Sequence, residues 1–321
     1  MGTTTSAHPE DLAGEFVDEV SLSFFRDFRD NRDNRAARQA RRSYVQRAPS
    51  YVQHAAGEIK IRDLYPMLQA VPDFSNLPSS HWLALQVDFE FLTPWYSKDD
   101  RMFHVLDNPV RKDRVFGVPF MAASSWKGML RWACRMRAGL REHLERHNGR
   151  LDGRRDLDWI LHLFGHEKGE EDHEKLRQGA LVFFPTWFDR IGFEVINPHS
   201  RERRAGTQPI YYEVVPPGAK GTLSLLYAPW PGMKFNSDPK EVVPKLLEAI
   251  EDLLTTYGIS AKRTVGWGTA GIERWRAFHK TGGRVKTVEQ RDREALWQEV
   301  QTWFQQEVRH DEQLFSGGDS A

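Results

Sequence analysis

The sequence has almost no cysteine, no long apolar run and no excess of either charge. Cys134 is the only cysteine among 321 residues, which excludes disulfide bonds within the chain and a zinc site built from several cysteines. No apolar run approaches the roughly 20 residues that span a bilayer, and no apolar signal segment opens the chain, so we expect a cytoplasmic protein without a membrane partner. Lys plus Arg equals Asp plus Glu at 45 each, so any nucleic-acid surface must be a local patch.

The apolar pattern predicts an α+β fold. Residues 81–91 alternate between apolar and polar side chains and predict a half-buried strand. Helical spacing predicts a first helix from about residue 124, a second at 239–257 and a last one at 288–315. Further strands are predicted by short apolar runs at 181–188, 191–196, 210–215 and 222–227. The order strand, helix, strands, helix, strand is that of a ferredoxin-like (RRM-like) βαββαβ core.

The sequence divides into three regions. Residues 1–80 form an N-terminal helical, Arg-rich extension, with eight arginines between Arg26 and Arg47. Residues 81–280 form the main domain, with a long charged connection at 92–114, and residues 281–321 form a C-terminal helix and tail. The arginine run is either a solvated, self-paired helix or a contact to RNA or to an acidic neighbour.

The segment Gly258 to Gly271 combines cations with glycines. Lys262 and Arg263 precede Gly266, Gly268 and Gly271. Glycine has no Cβ and tolerates positive φ, so backbone N–H groups in such a loop can converge on a phosphate. A plain turn between a helix and a strand is the alternative interpretation.

A second motif lies upstream, in the sequence VFGVPFMAASSWKGMLRWACRM that begins at Val115. Ser124 or Ser125 is predicted to cap the first helix, whose N-terminus favours an anion. Lys127, Arg131 and Arg135 recur at i, i+4 and i+8 and predict a cationic stripe along one face. A solvated polar face is the alternative.

The two motifs, in this order, resemble those of the RAMP (repeat-associated mysterious protein) superfamily of CRISPR effector subunits. The shared pattern P-x-x-x-x-S-S-x-K-G-x-x-R runs here from Pro119 to Arg131, and the resemblance covers residues 82–275. The segment LDNPVRKD, residues 106–113, is similar to one in the backbone subunits of type III complexes. The resemblance implies a subunit that binds guide RNA (crRNA), pairs with other subunits and cuts complementary target RNA with Mg²⁺ or Mn²⁺ at Asp107, which would also be the metal ligand.

The same resemblance implies further site residues. The connection 92–114 is expected to be a thumb-like loop in which Trp95, Tyr96 or Phe103 displaces a base of the guide–target duplex. Guide-RNA contacts are expected at Ser124, Ser125, Lys127, Arg131, His199, Lys262, Arg263, Gly266, Trp267 and Gly268.

The chain departs from the family pattern at two places, which leaves alternatives open. Ala122 and Ala123 replace the glycine that usually precedes the paired serines, and Ser260 and Ala261 begin the glycine loop in place of paired glycines. Asp107 is alternatively a turn former before Asn-Pro. Alternative functions are a non-catalytic subunit that caps the complex, and a guide-processing endoribonuclease with His199 as general base.

Overall fold

A computed structural model gives the fold and describes residues 39, 42–50, 71–99, 106–113, 117–166, 178–197, 199–200, 205–206, 209–230 and 237–316. Most of the predicted N-terminal extension lies outside these residues, although residues 42–50 are helical. The helices are α1 (Ala123–Arg137), α2 (Leu140–Arg146), α3 (Asp158–Phe164), α4 (Pro239–Asp252) and α5 (Arg293–Ser316). Among the described residues, no helix is long and apolar enough to cross a membrane.

Eleven strands are present in the described part of the chain, several of them only two residues long. They are β1 (Leu83–Phe91), β2 (Phe120–Met121), β3 (Leu181–Phe183), β4 (Thr186–Trp187), β5 (Gly192–Ile196), β6 (His199–Ser200), β7 (Ala205–Gly206), β8 (Ile210–Val214), β9 (Lys220–Tyr227), β10 (Ala270–Thr281) and β11 (Arg284–Gln290). The main sheet has the order β11-β10-β1-β9-β3, and all neighbours are antiparallel. Helix α1 lies between β1 and β3 in the chain, and α4 lies between β9 and β10, so the predicted α+β class is confirmed.

The core lies between the main sheet and the helices α1 and α4. Alternate residues of β1, from Leu83 to Phe91, are at most 1% exposed and face this core. Trp126 of α1 packs edge-on against Phe89, with ring centroids 6.1 Å apart. The indole N–H of Trp126 donates to the Thr186 hydroxyl at 2.9 Å, so this large side chain is buried without an unsatisfied donor.

The other face of β1 is covered as well, which corrects the expectation of a half-buried strand. Ala84 lies beneath Phe74 and Leu77 of the preceding segment. Asp88 accepts hydrogen bonds from Arg274 and Arg276 of the neighbouring strand, both at 2.8 Å. These contacts bury both faces of the strand although half of its residues are small or polar.

The C-terminal helix starts later than predicted. Residues 288–290 belong to β11, the edge strand that pairs with β10. Helix α5 begins at Arg293, after Asp292, whose carboxylate accepts from the N–H of Ala295 at 2.7 Å. The main sheet therefore continues past residue 280, where the sequence pattern placed the end of the main domain.

Candidate nucleic-acid interface

The first turn of α1 is open at its N-terminus, but neither serine caps it. Ala122 is the N-cap, and its carbonyl accepts from the N–H groups of Ser125 and Trp126 at 3.0 and 3.1 Å. Strand β2 leads directly into the helix, so the helix starts before the serines. The predicted cap is therefore wrong, and Ser124 and Ser125 lie within the first turn, where free N–H groups and the helix dipole favour an anion.

The predicted cationic stripe on α1 is interrupted by an aspartate. Arg131 and Arg135 both bind the buried carboxylate of Asp156, with closest N–O distances of 2.5 Å. Burial alone would raise the pKa of Asp156, but the hydrogen bonds from Arg135 and Arg131 hold it below its usual value. The RNA contact expected at Arg131 stays a prediction, but its side chain is 11% exposed and already paired with Asp156. Lys127, one turn earlier, is exposed.

The glycines of the 258–271 loop have different roles. Gly268 has a φ of +89°, and a Cβ there would come within 2.4 Å of the Ser260 nitrogen. Its backbone is buried, so Gly268 serves the folding of the loop and does not form the open wall that the sequence suggested. Gly266 also has a positive φ, +83°, but it is exposed and nothing lies within 4 Å of a Cβ placed there. Of these two glycines, the open position is Gly266.

The two cations of this loop are held over aromatic rings. The Lys262 ammonium lies 5.1 Å from the ring centroid of Tyr212 in β8, and the Arg263 guanidinium lies 4.4 Å from that of Trp132 in α1. Cation–π contacts fix where the charge lies without neutralising it. Partial burial lowers the pKa of Arg263. Trp267 packs edge-on against Tyr212 and is partly exposed.

The segment 92–99 is packed against the glycine loop, which corrects the predicted base-wedging residues. Trp95 is 1% exposed, and its indole N–H donates to the Ile259 carbonyl at 2.9 Å. Tyr96 is 4% exposed, and its carbonyl accepts from the N–H of Ala261 at 2.8 Å. Both side chains are core residues, so neither can displace a base. Phe103 lies outside the described residues.

Asp107 is exposed on a segment that hydrogen bonds fix on two sides. The N–H of Arg111 donates to the Ser97 carbonyl at 2.7 Å, and the N–H of Glu213 donates to the Asn108 carbonyl at 3.0 Å. Residues 106–113 thus join segment 92–99 to strand β8, and through segment 92–99 they connect to the glycine loop. Hydrogen bonds therefore join residues 92–99, residues 106–113, strand β8 and the glycine loop. These segments, which carry Asp107, Lys262 and Arg263, are called the Asp107 layer below.

A buried ion pair, here called the Lys112 clamp, anchors this layer. The Lys112 ammonium contacts both oxygens of Glu213 at 2.6 Å and the Tyr44 hydroxyl at 2.7 Å. The Tyr44 hydroxyl donates to Glu213 at 2.7 Å, and the Val110 N–H donates to the same carboxylate at 3.0 Å. The clamp ties the Asp107 segment to β8 and to helical residues 42–50.

Two cations of the layer were missed by the sequence reasoning. Lys98 is exposed, and Arg111 is partly exposed with its guanidinium 5.5 Å from the ring centroid of Phe120. Neither has a carboxylate partner within the described ranges. Arg111 lies in the same LDNPVRKD segment as Asp107, and this proximity was the available signal. His199 lies in β6, where only the backbone is described.

Comparison with protein families gives one match, and it covers this site. The profile described as "RAMPs: RAMP superfamily" matches residues 88–270. This range includes Asp107, the whole of α1 and most of the glycine loop. A comparison with curated proteins finds no match.

Solved structures with similar folds include three CRISPR assemblies. A chain of the "Type III-B Cmr-beta bound to cognate target RNA" is 13% identical, with a TM-score of 0.48, over 88% of this chain and 97% of that chain. A chain of the "Csm3-Csm4 subcomplex in the type III-A CRISPR-Cas interference complex" is 17% identical, with a TM-score of 0.42, over 69% and 95%. A chain of the "CRISPR RNA-guided surveillance complex, pre-nicking" is 12% identical, with a TM-score of 0.43, over 63% and 77%.

Proposed function

Because the chain belongs to the RAMP superfamily, we propose that it is a guide-RNA-binding backbone subunit of a type III CRISPR effector complex that cuts target RNA at Asp107. Its partners are the crRNA, the complementary target RNA and further subunits, in the cytoplasm. The core is proposed to be ferredoxin-like. The strand order β10-β1-β9-β3, with α1 after β1 and α4 after β9, supports that assignment.

The observation that carries the proposal is the combination of charges in the Asp107 layer. Four cations, at Lys98, Arg111, Lys262 and Arg263, have no carboxylate partner among the described residues, whereas Arg131 and Arg135 are paired. Unpaired cations beside open N–H groups attract a phosphate backbone whatever its sequence. Sequence is then specified by base pairing between guide and target, as in other RNA-guided systems.

Asp107 fits one kind of divalent metal site. No group of three or more His, Cys, Asp or Glu side chains that could hold a metal occurs among the described residues, so an all-protein cage is not supported. Mg²⁺ commonly uses one or two carboxylates together with waters and substrate phosphates, and Asp107 is an exposed carboxylate beside phosphate-attracting cations. Bound there, Mg²⁺ or Mn²⁺ would neutralise charge that develops on the cleaved phosphate.

The chain's own chemistry at this site is the orientation of a hydroxyl. The Asp107 carboxylate accepts a hydrogen bond from the ribose 2′-hydroxyl and orients its oxygen toward the adjacent phosphorus. The new 2′ O–P bond forms as the bond to the 5′ oxygen breaks; the 2′-hydroxyl gives up its proton to water, and the leaving 5′ oxygen takes one up from water. The products are a 2′,3′-cyclic phosphate and a 5′-hydroxyl end.

Substitution of Asp107 tests this proposal. In a complex assembled with guide and partner subunits, we expect Asp107→Ala to bind target RNA within about twofold of the wild type and to cut it at least ~100-fold more slowly. Cutting is measured on denaturing gels with end-labelled target, and binding by filter retention. Asp189→Ala is the matched control, because Asp189 is an exposed aspartate in the turn before β5.

Three outcomes separate the candidate functions. Cutting by Asp107→Ala at the wild-type rate would remove the catalytic assignment. Target binding without cutting by the wild type would instead support the capping subunit, and cleavage of precursor repeat RNA by the isolated protein would support guide processing. A purified wild-type protein with no affinity for RNA would contradict all three.

A further inference from the structure

A tyrosine from outside the family-matched part of the chain takes part in the Lys112 clamp. Tyr44 lies in helical residues 42–50, whereas the RAMP profile begins at position 88. Its side chain is 6% exposed, and Ala48, four residues later, is 2% exposed. Because residues i and i+4 share one face of a helix, these two side chains mark the face through which the short helix packs on the domain.

The hydroxyl of Tyr44 makes two hydrogen bonds of opposite sense. It donates to the Glu213 carboxylate at 2.7 Å and accepts from the Lys112 ammonium at 2.7 Å. A phenol oxygen can donate and accept at the same time, so it links the two ions at a point where a phenylalanine ring would supply neither bond. Lys112 also contacts both Glu213 oxygens directly at 2.6 Å. Tyr44 therefore orients the ion pair but is not needed to form it.

The orientation of Glu213 bears directly on the segment that carries Asp107. The Glu213 carboxylate accepts from the N–H of Val110 at 3.0 Å, and the N–H of Glu213 donates to the Asn108 carbonyl at 3.0 Å. Asn108 follows Asp107 directly in the chain, and Val110 comes two residues later. A short path of hydrogen bonds thus runs from the Tyr44 hydroxyl through Glu213 to the backbone beside Asp107.

We propose that Tyr44 is a positioning residue for the cutting of target RNA, because its hydroxyl holds the Lys112–Glu213 pair in the geometry that places residues 106–113 against the bond that is cut. The inference rests on the proposed function and adds the N-terminal Arg-rich segment to the cutting machinery. With a side chain that is 6% exposed, Tyr44 acts through Glu213 and not by touching RNA. A misplacement of about 1 Å can cost about 100-fold in rate, so a small displacement of the segment is enough.

The alternative is that Tyr44 only stabilises the fold, and a second buried tyrosine provides the comparison. Tyr227 of β9 is 1% exposed, and its hydroxyl lies 2.8 Å from Nε2 of His162. Loss of either hydroxyl removes a buried hydrogen bond and costs stability. The partners distinguish the two tyrosines, because Lys112 belongs to residues 106–113 and Glu213 binds the N–H of Val110.

Single-turnover cutting by the assembled complex tests the proposal. With guide, partner subunits and saturating end-labelled target RNA, we expect Tyr44→Phe to cut about tenfold more slowly than the wild type and to bind the target within about twofold of it. Tyr227→Phe should cut at the wild-type rate. The urea midpoint of unfolding should decrease in both variants, which shows that stability alone does not set the cutting rate.

Hydrogen exchange of the full-length protein measures the position of the segment without RNA. In Tyr44→Phe, the amide hydrogens of the peptide that contains residues 106–113 should exchange at least about fivefold faster, because the Glu213 carboxylate holds the Val110 N–H less firmly. The peptide that contains β1 should exchange as in the wild type. Tyr227→Phe should leave the exchange of residues 106–113 unchanged.

A second pair of variants tests the packing of the helix and not the hydroxyl. Ala48→Glu places a carboxylate at a position that is 2% exposed, which should release helical residues 42–50 from the domain. We expect this variant to cut at least as slowly as Tyr44→Phe. Ser50→Glu adds the same charge at an exposed position of the same helix and should cut like the wild type.

The outcomes separate this inference from the proposed function. Cutting and hydrogen exchange at the wild-type rates in Tyr44→Phe would overturn the positioning role and leave the proposed function standing. Equal losses of cutting in Tyr44→Phe and Tyr227→Phe would also overturn it, as a general effect of stability. A wild-type complex that does not cut target RNA would overturn both.

Discussion

At the scale of single residues, the partner of a charge decides what the charge can do. Lys127 and Arg131 lie one turn apart on α1 and look equivalent in the sequence. In the structure Lys127 is exposed, whereas Arg131 is bound to Asp156 from a later loop. The pair is separated by 25 positions, so local spacing could not reveal it. The RNA contacts predicted at Lys127 and Arg131 both stay predictions, but only the Lys127 side chain is exposed.

Variants of Lys127 and Arg131 test this difference when the binding of single-stranded RNA to the full-length chain is measured. Lys127→Gln should weaken binding and reduce the slope of log affinity against log salt by about 0.7, because one phosphate contact is lost. Arg131→Gln should leave the slope unchanged and lower the urea midpoint of unfolding, because Asp156 loses a buried partner. Fluorescence anisotropy across a salt series measures the slope. A reduced slope in Arg131→Gln would show that the Asp156 pair opens to bind RNA.

At the scale of elements, long periodic patterns were predicted well and junctions were not. The alternation in β1 and the helical spacing in α1 and α4 are strong signals, because each is repeated over many residues. The N-cap of α1 was placed at the serines in place of Ala122, and the strand β11 was partly assigned to the last helix, since the entry from β2 and the pairing with β10 depend on distant parts of the chain. The Asp107 segment was found through its motif. The clamp that holds it depends on Glu213 and on helical residues 42–50, which no local pattern connects to Asp107.

The Lys112 clamp is the element-scale contact with the largest expected effect on stability. Glu213→Gln removes the carboxylate that the buried Lys112 ammonium contacts at 2.6 Å and should lower the free energy of unfolding by about 3–5 kcal/mol. The double variant Lys112→Met with Glu213→Leu removes both charges and should recover part of that loss. Urea unfolding followed by tryptophan fluorescence measures both. A double variant that is less stable than Glu213→Gln would show that the clamp is not an isolated charge pair.

At the scale of the whole molecule, a net charge of zero is compatible with RNA binding because of where the charges are paired. On the sheet face, Arg274 and Arg276 bind Asp88, and beside α1, Arg131 and Arg135 bind Asp156. In the Asp107 layer, Lys112 is paired with Glu213, but Lys98, Arg111, Lys262 and Arg263 have no carboxylate partner in the described part of the chain. The composition gives only the summed charge of the chain. It could therefore predict that the RNA-binding surface is a local patch, but not where that patch lies.

The stability of the whole fold depends on pH in two steps, one from a buried histidine and one from paired carboxylates. Burial lowers the pKa of His162 from 6.5 to about 4, and its Nε2 lies 2.8 Å from the Tyr227 hydroxyl. The folded state therefore binds fewer protons than the unfolded state between these values, and stability falls as the pH drops from 6.5 toward 4. Below that range, protonation of the paired carboxylates lowers the stability further. Burial raises the pKa of Asp88, but hydrogen bonds from Thr222 and Arg274 hold it below 3.8, so its contribution is lost as the pH falls further.

His162→Gln isolates the first step. We expect the urea midpoint of this variant to change little between pH 6.5 and 4.5, where the wild-type midpoint decreases, because the variant has no buried imidazole to charge. His147→Gln, at the exposed end of α2, is the matched control and should keep the wild-type decrease. If His162→Gln lost stability over this interval as steeply as the wild type, the decrease would belong to another group, and the burial of His162 would not be what limits the fold in mild acid.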